Sequence, residues 1–222
     1  MSIRRFGGLE DITPVAKNLI LLNLFVFVAT FMYPMLTDLL AMHYPSNPAF
    51  QPWQLVTHMF THGGLFHILF NMYALYSFGS ILENDRVLGS KRFALLYFVS
   101  GFGAIAFHLA ISAATAYYYT GDIVLHTNTV LPTSLDSNAV KNLSSVYYQS
   151  LVGASGAIYG LLAGFGYLFP NTPLMFMFIP VPVKAKYLIP LVIIVYDIAF
   201  AQVGLDNVAH YLNQLAQMQC HI

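Results

Sequence analysis

Charge is what this sequence lacks most: nine basic and nine acidic residues are spread over 222 positions, 8% of the chain against 58% hydrophobic. An ordinary soluble chain is roughly a quarter charged, and so few ions cannot cover a water-facing surface of this size. Much of the surface is therefore expected to face lipid. The formal net charge is zero and no Lys/Arg run occurs, so nothing offers an electrostatic footprint for nucleic acid, and no such partner is expected. The single cysteine, Cys220, excludes an intramolecular disulfide framework. His58 and His62 stand four apart, a spacing that can put two ligands on one helix face, but there is no HExxH motif and no third ligand. Neither a metal nor a cofactor is expected. A cleavable leader is also disfavoured. Residues 1–16 carry Arg4, Arg5, Glu10 and Asp11, and no small-residue cleavage site closes the apolar run that follows, so the first span is expected to stay as an anchor.

What is abundant is uncharged apolar sequence, in runs near the roughly 20 residues a helix needs to cross a bilayer. The runs give an all-α membrane protein: a polar N-terminal segment at 1–16, expected to be cytoplasmic, and a membrane domain at 17–222. Spans are expected at Asn18–Met35, Leu65–Leu82, Phe93–Ala116, Leu151–Phe169 and Tyr187–Ala201, with a sixth beginning at Asn207. Between the first two, Pro34, Pro45, Pro48 and Pro52 break the chain into an interfacial, semi-buried loop with Trp53 near the headgroups. Residues 117–150 read as a long water-exposed connection, and the text between Pro170 and Lys186 as a Pro-rich turn. In span four, Gly156, Gly160 and Gly164 recur every fourth residue, a face that lets another helix approach closely; large side chains of span six are expected to collide with it. Arg4, Arg5, Lys17, Arg86, Lys91, Arg92, Lys184 and Lys186 fall on one side of the six-span arrangement and only Lys141 opposite. Basic residues favour the cytoplasmic side, so the N-terminus is expected there, in a multi-pass protein of a bacterial plasma membrane.

Ionisable and polar residues inside a bilayer are costly and are functional candidates by default. Three places qualify. Gly153-Ala154-Ser155-Gly156 puts a serine among glycines, expected about four residues into span four, where free N–H groups near a helix start can stabilise an oxyanion. His67 and Asn71 share one face of span two, and His210 opens span six. Each has a plainer reading as a helix-packing or hydrogen-bonding residue. Taken together they converge at one depth near one rim. A serine nucleophile, an imidazole base and oxyanion donors require that convergence.

These residues resemble the rhomboid family of intramembrane serine proteases. The matching text is HGGLFHILFN at 62–71, Glu83 with Leu88-Gly89-Ser90, GASGAIYG at 153–160, and Ala209-His210. The resemblance implies a six-transmembrane-helix bundle that cuts transmembrane protein substrates near the outer face by a Ser-His dyad. By it, Ser155 is the nucleophile and His210 the base. His67, Asn71 and the Ser155 backbone N–H form the oxyanion hole, Gly153 and Gly156 support the serine, Tyr159 packs against the base, and Glu83 anchors loop and helix ends. The loop at 33–53 and span five are the implied route for substrate.

Span six departs from the family text. Small residues are expected after Ala-His, yet the chain reads Tyr211-Leu212-Asn213-Gln214; where relatives carry two histidines three apart, Asn213 would stand at the base position. Residues 207–222 give about 24 Å of helix against about 30 Å of hydrocarbon, so the last helix is expected to be short or incomplete. The alternative is a catalytically inactive relative that binds membrane clients. A small transporter is a third reading, disfavoured because no inverted repeat is visible.

Overall fold

A computed structural model describes residues 12–126, 137–176 and 179–194. Helix α1 (Pro14–Met32) leads into α2 (Met35–Leu40), then α3 (Gln54–Thr57) and a 3-10 turn (His58–Phe60). Span two is α4 (Leu65–Ala74), a π turn (Leu75–Gly79) and α5 (Ser80–Glu83) in continuous sequence. Then come α6 (Gly89–Thr120), α7 (Ser137–Tyr148), α8 (Ser155–Leu168), an antiparallel hairpin of β1 (Pro173–Phe176) and β2 (Ile179–Lys184), and α9 (Ala185–Ile194). Among the described residues, Pro14–Met32, Leu65–Glu83 and Gly89–Thr120 are long and apolar enough to cross a bilayer, while α8 and α9 are shorter apolar helices.

Helices α1 and α6 show almost no amphipathic periodicity, because apolar side chains occupy their buried and exposed faces alike. On α1, Ala16 and Leu19 are buried in the bundle while Phe25 and Phe31 point outward; on α6, Phe93 and Tyr97 are buried while Leu95 and Phe107 are exposed. A helix apolar all round is what a lipid surround selects. The core gathers Met59, Ile68, Leu75, Leu82, Phe93, Tyr97, Leu161 and Phe165 between α1, α4, α6 and α8.

Glu83 ties three helix ends together. Its carboxylate accepts the Val15 and Ala16 backbone N–H groups, both at 2.9 Å, and the Ser90 hydroxyl at 2.7 Å. The first N–H groups of a helix have no intrahelical acceptor, and Pro14 at the start removes one of them, so a single buried carboxylate satisfies the next two. The starts of α1 and α6 and the end of α5 therefore lie together, alongside Lys17, Arg86, Lys91 and Arg92.

Several sequence expectations need correction. Span four begins at Ser155, not Leu151, because Leu151 pairs with Met42 in a β-bridge and Gly153 turns the chain at φ 121°. Ser155 is thus the first helical residue rather than the fourth. The glycine face of α8 meets span three: side chains at Gly156 and Gly160 would overlap Ala104 and Ser100, and one at Gly164 would come 3.2 Å from Leu96. Small residues permit a close approach without naming the partner. The Pro-rich turn before α9 contains the hairpin. The connection at 117–150 opens with the last turn of α6 and contains α7, whose Leu143 and Tyr147 pack with Tyr44, Ala116 and Leu125 in a second, smaller core. Arg4, Arg5, the second half of span five, span six and His210 lie outside the described residues.

Candidate active site

Ser155 stands where an extended strand turns into a helix. Residues 151–152 run antiparallel to the loop at Met42, with N–H to O distances of 2.9 and 2.8 Å; the Gly153 N–H then donates to the His58 carbonyl at 2.8 Å. At φ 121°, Gly153 occupies backbone space that residues with a Cβ rarely enter. Ala154 precedes the helix in α conformation, and α8 opens on Ser155, whose N–H is among those its own helix leaves without an acceptor. The serine therefore sits at the positive end of a helix axis, against a glycine backbone fixed from both sides.

Span two delivers the second group. His67 lies in the first turn of α4, and the place a Cβ on Gly153 would occupy is 2.7 Å from its Cε1 and Nε2 and 3.7 Å from Ser155 Oγ. The imidazole is thus laid across the missing side chain of Gly153, on which the Ser155 hydroxyl also borders. Asn71, one turn on and 2% exposed, donates its amide N–H to the His67 carbonyl at 2.8 Å. Gly156 and Tyr159 continue α8, with Gly156 against Ala104 and Tyr159 half-buried against the main core. Of the residues singled out by sequence, Gly153, Ser155 and His67 meet around the open side of Gly153, and Asn71 follows one turn along α4 from His67. His210 lies outside the described residues.

The sequence pairs His58 and His62 as possible metal ligands and opens the HGGLFHILFN text on His62, but it gives Gln54 no role. The 3-10 turn ends at Phe60, so the two histidines do not share a helix face. Each ring nitrogen Nδ1 is paired with a backbone carbonyl, His58 with Gln54 at 2.8 Å and His62 with Phe60 at 3.3 Å. The His62 ring meets His67 edge-on, centroids 5.1 Å apart at 71°, so it packs against the imidazole that borders Gly153. Burial pushes the His62 imidazole down to about 3, and the neighbouring His67 ring acts in the same direction; its Nε2 is buried with no hydrogen-bond partner. Gln54, fully buried, accepts from His43 N–H at 3.3 Å and Gln51 N–H at 3.1 Å and donates to Ala49 O at 3.0 Å, folding the loop about itself. A run of polar residues in an otherwise apolar stretch was the available signal.

A Rhomboid domain profile matches residues 49–215 of the chain. A presenilin-associated rhomboid-like mitochondrial protein of Bos taurus is 28% identical over 179 residues, covering 79% of this chain and 38% of the relative. Rhomboid protease GluP of Bacillus subtilis is 28% identical over 158 residues, 71% of this chain and 23% of the relative. RHOMBOID-like protein 1 of Arabidopsis thaliana is 45% identical over 51 residues, 23% of this chain and 13% of the relative. The chain thus spans less than two fifths of the length of these curated relatives.

Proposed function

The chain belongs to the rhomboid family, and from that premise we propose that it is an intramembrane serine endopeptidase that cuts transmembrane segments of other membrane proteins. The observation that carries the proposal is the seating of His67 across the open side of Gly153, on which the Ser155 hydroxyl also borders, at a helix start. Packing alone asks for no imidazole there. A hydrolase does: the Ser155 Oγ attacks the scissile carbonyl, and the charge that develops on its oxygen is met by the Ser155 N–H, His67 and Asn71. His210 takes the serine proton and returns it to the leaving amine. Gly153 and Gly156 keep the approach open, and Tyr159 packs beside the base.

Depth supports the same reading. The 14 residues of α8 are about 21 Å of helix against about 30 Å of hydrocarbon, so with Leu168 near the basic rim Ser155 lies below the opposite one. Water must reach it through a polar opening on that side. A substrate helix must unwind there, which small or helix-weakening residues near the cut would ease. The basic side is assigned to the cytoplasm, with residues 1–16 there and 17–222 forming the membrane domain of a bacterial plasma-membrane protein. One sequence observation favours a second reading: Tyr211-Leu212-Asn213 in place of small residues suits an inactive relative that holds clients without cutting them.

The decisive experiment uses the full chain in proteoliposomes with a fluorophosphonate probe and a model transmembrane substrate. Labelling and cleavage by wild type, both lost in Ser155→Ala, are expected, with cleavage also lost in His210→Ala. Absence of labelling in a folded wild type, with the substrate still crosslinked, would establish the inactive client-binding reading instead. Cleavage that survives His210→Ala would assign the base elsewhere.

A further inference from the structure

About two turns along α8 from Ser155, towards the end of the bundle where the basic residues gather, a cavity of about 230 Å³ opens between span two, α8, the hairpin and α9. Its walls include Ser77 and Phe78 of the π turn, Leu162 of α8, Leu174 of β1, and Leu188 and Ile189 of α9. The lining is mainly apolar, and its origin is local. A π turn inserts a residue into the helical repeat and displaces the side chains that follow, and this one lies where span two faces α9.

The hairpin and the start of α9 bring two cations near the lining residues along the chain. Pro173 pairs with Lys184 and Leu174 with Val183, so Lys184 stands one register step from a lining residue. The Ala185 N–H donates to Thr172 O at 2.9 Å and the Lys186 N–H to Pro170 O at 3.1 Å, which folds the base of the hairpin onto the end of α8. Lys184 and Lys186 are both exposed, and the Lys186 ammonium lies 5.1 Å from the centroid of the Tyr187 ring, an arrangement suited to a headgroup interface. Leu188 and Ile189 follow within one turn. The sequence contains no carboxylate between Asp136 and Asp197, and Glu83 is committed to the start of α1 and to Ser90. Two exposed cations therefore lie within a few residues of the lining positions Leu174, Leu188 and Ile189, with no anion of this segment to neutralise them.

We propose that this cavity takes an acyl chain of an anionic phospholipid from the adjoining leaflet, with its phosphate held by Lys184 and Lys186. The chemistry of the occupant follows from its two ends. A slot this apolar takes hydrocarbon, the lysines select negative charge, and a two-tailed lipid leaves its second chain in the bilayer. The site does not use Ser155 or His67.

The test is native mass spectrometry of the full chain in detergent, titrated with phosphatidylglycerol and phosphatidylcholine of identical acyl chains. Wild type is expected to prefer phosphatidylglycerol about thirtyfold, from about fivefold per lysine. Lys184→Gln with Lys186→Gln should bring the two lipids to near parity without changing the melting temperature, whereas Lys91→Gln with Arg92→Gln should leave the preference intact. Filling the slot by Ile189→Trp should weaken both lipids alike; Leu174→Phe serves if that variant does not fold. Ser155→Ala should bind as wild type does, whatever its activity. Equal affinity of wild type for both lipids, or a preference that survives loss of both lysines, overturns the proposal. So does unchanged binding in a folded, slot-filled variant.

Discussion

Replacing Gly153 by alanine is the smallest change that strikes the proposed catalytic geometry from two directions. At φ 121° an L-residue is strained whatever space surrounds it, at about 1–3 kcal/mol. The new methyl would also stand 2.7 Å from both Cε1 and Nε2 of His67, well inside the ~3.5 Å of an ordinary contact, so the ring must retreat by roughly 0.8 Å. It cannot tilt freely, because the His62 ring packs edge-on against it with centroids 5.1 Å apart. A displacement near 1 Å in a donor aimed at a developing charge can lower turnover about a hundredfold. The strain alone should lower the melting temperature by roughly 2 to 12 °C, at about 2–4 °C per kcal/mol for a chain of this size. Turnover of a model transmembrane substrate and thermal unfolding in detergent read the two effects separately. Gly64 is the control: its φ of 167° is ordinary extended backbone and a Cβ there meets nothing within 4 Å, so Gly64→Ala should match wild type in both assays. If Gly153→Ala retained wild-type turnover and melting temperature, the placement of His67 against Ser155 would be wrong.

Glu83→Gln removes the charge and turns an amide nitrogen towards at least one of the three donors, and a loss of about 3 kcal/mol should appear as a lower thermal midpoint, since hydrogen bonds to a charged group contribute about 1.5–3 kcal/mol each. Gly160→Ala overlaps Ser100 and should destabilise the pairing of α6 with α8; adding Ser100→Gly should recover most of the loss, and a double-mutant cycle in thermal unfolding measures the coupling. His62 gives a pH dependence: its imidazole lies at about 3 in the fold against about 6.5 unfolded, so the unfolded chain binds the extra proton between those values. Stability contributed by the neutral ring is therefore present above about pH 6.5 and falls with pH through that window by up to about 1.4 kcal/mol per unit. His62→Gln should flatten the fall of melting temperature between pH 6.5 and 4.

Membrane insertion was legible because it is an aggregate property: runs of uncharged apolar residues report lipid whichever face they present. Boundaries were less legible, for particular reasons. Leu151 and Val152 continue the apolar text of span four without a break, and only the backbone requirement of Gly153 separates strand from helix. The α7 segment was lost because Ser137-Asn138-Ala139-Val140 looks like loop text, and its buried Ala139, Leu143 and Tyr147 show a four-residue rhythm only once the polar intervals are recognised as a helix's outer face. The hairpin was hidden by prolines, which mark breaks without saying what lies between them.

The candidate site shows the same division between chemistry and position. Ser155, His67 and Asn71 could be named because their side chains are wrong for lipid, but what holds them in place is almost entirely backbone. The loop after α1 is fixed by Tyr44 Oη donating to Ile123 O at 2.7 Å, Ser46 Oγ to Leu125 O at 2.8 Å and Asn47 Nδ2 to Tyr147 O at 2.8 Å, before Met42 pairs with Leu151. Every acceptor in that series is a carbonyl, and carbonyls are identical in all sequences. The 117–150 connection, which reads as a solvent-exposed passage, is thereby the strap that positions the strand leading into Gly153. Its hydrogen bonds to the loop after α1 span 79 to 100 residues, and the last of them reaches Tyr147, six positions before that glycine. The approach of His67 to Ser155 therefore depends on a segment that contains none of the reacting groups, and changes at Tyr44 or Asn47 should reach the serine through the backbone at Leu151.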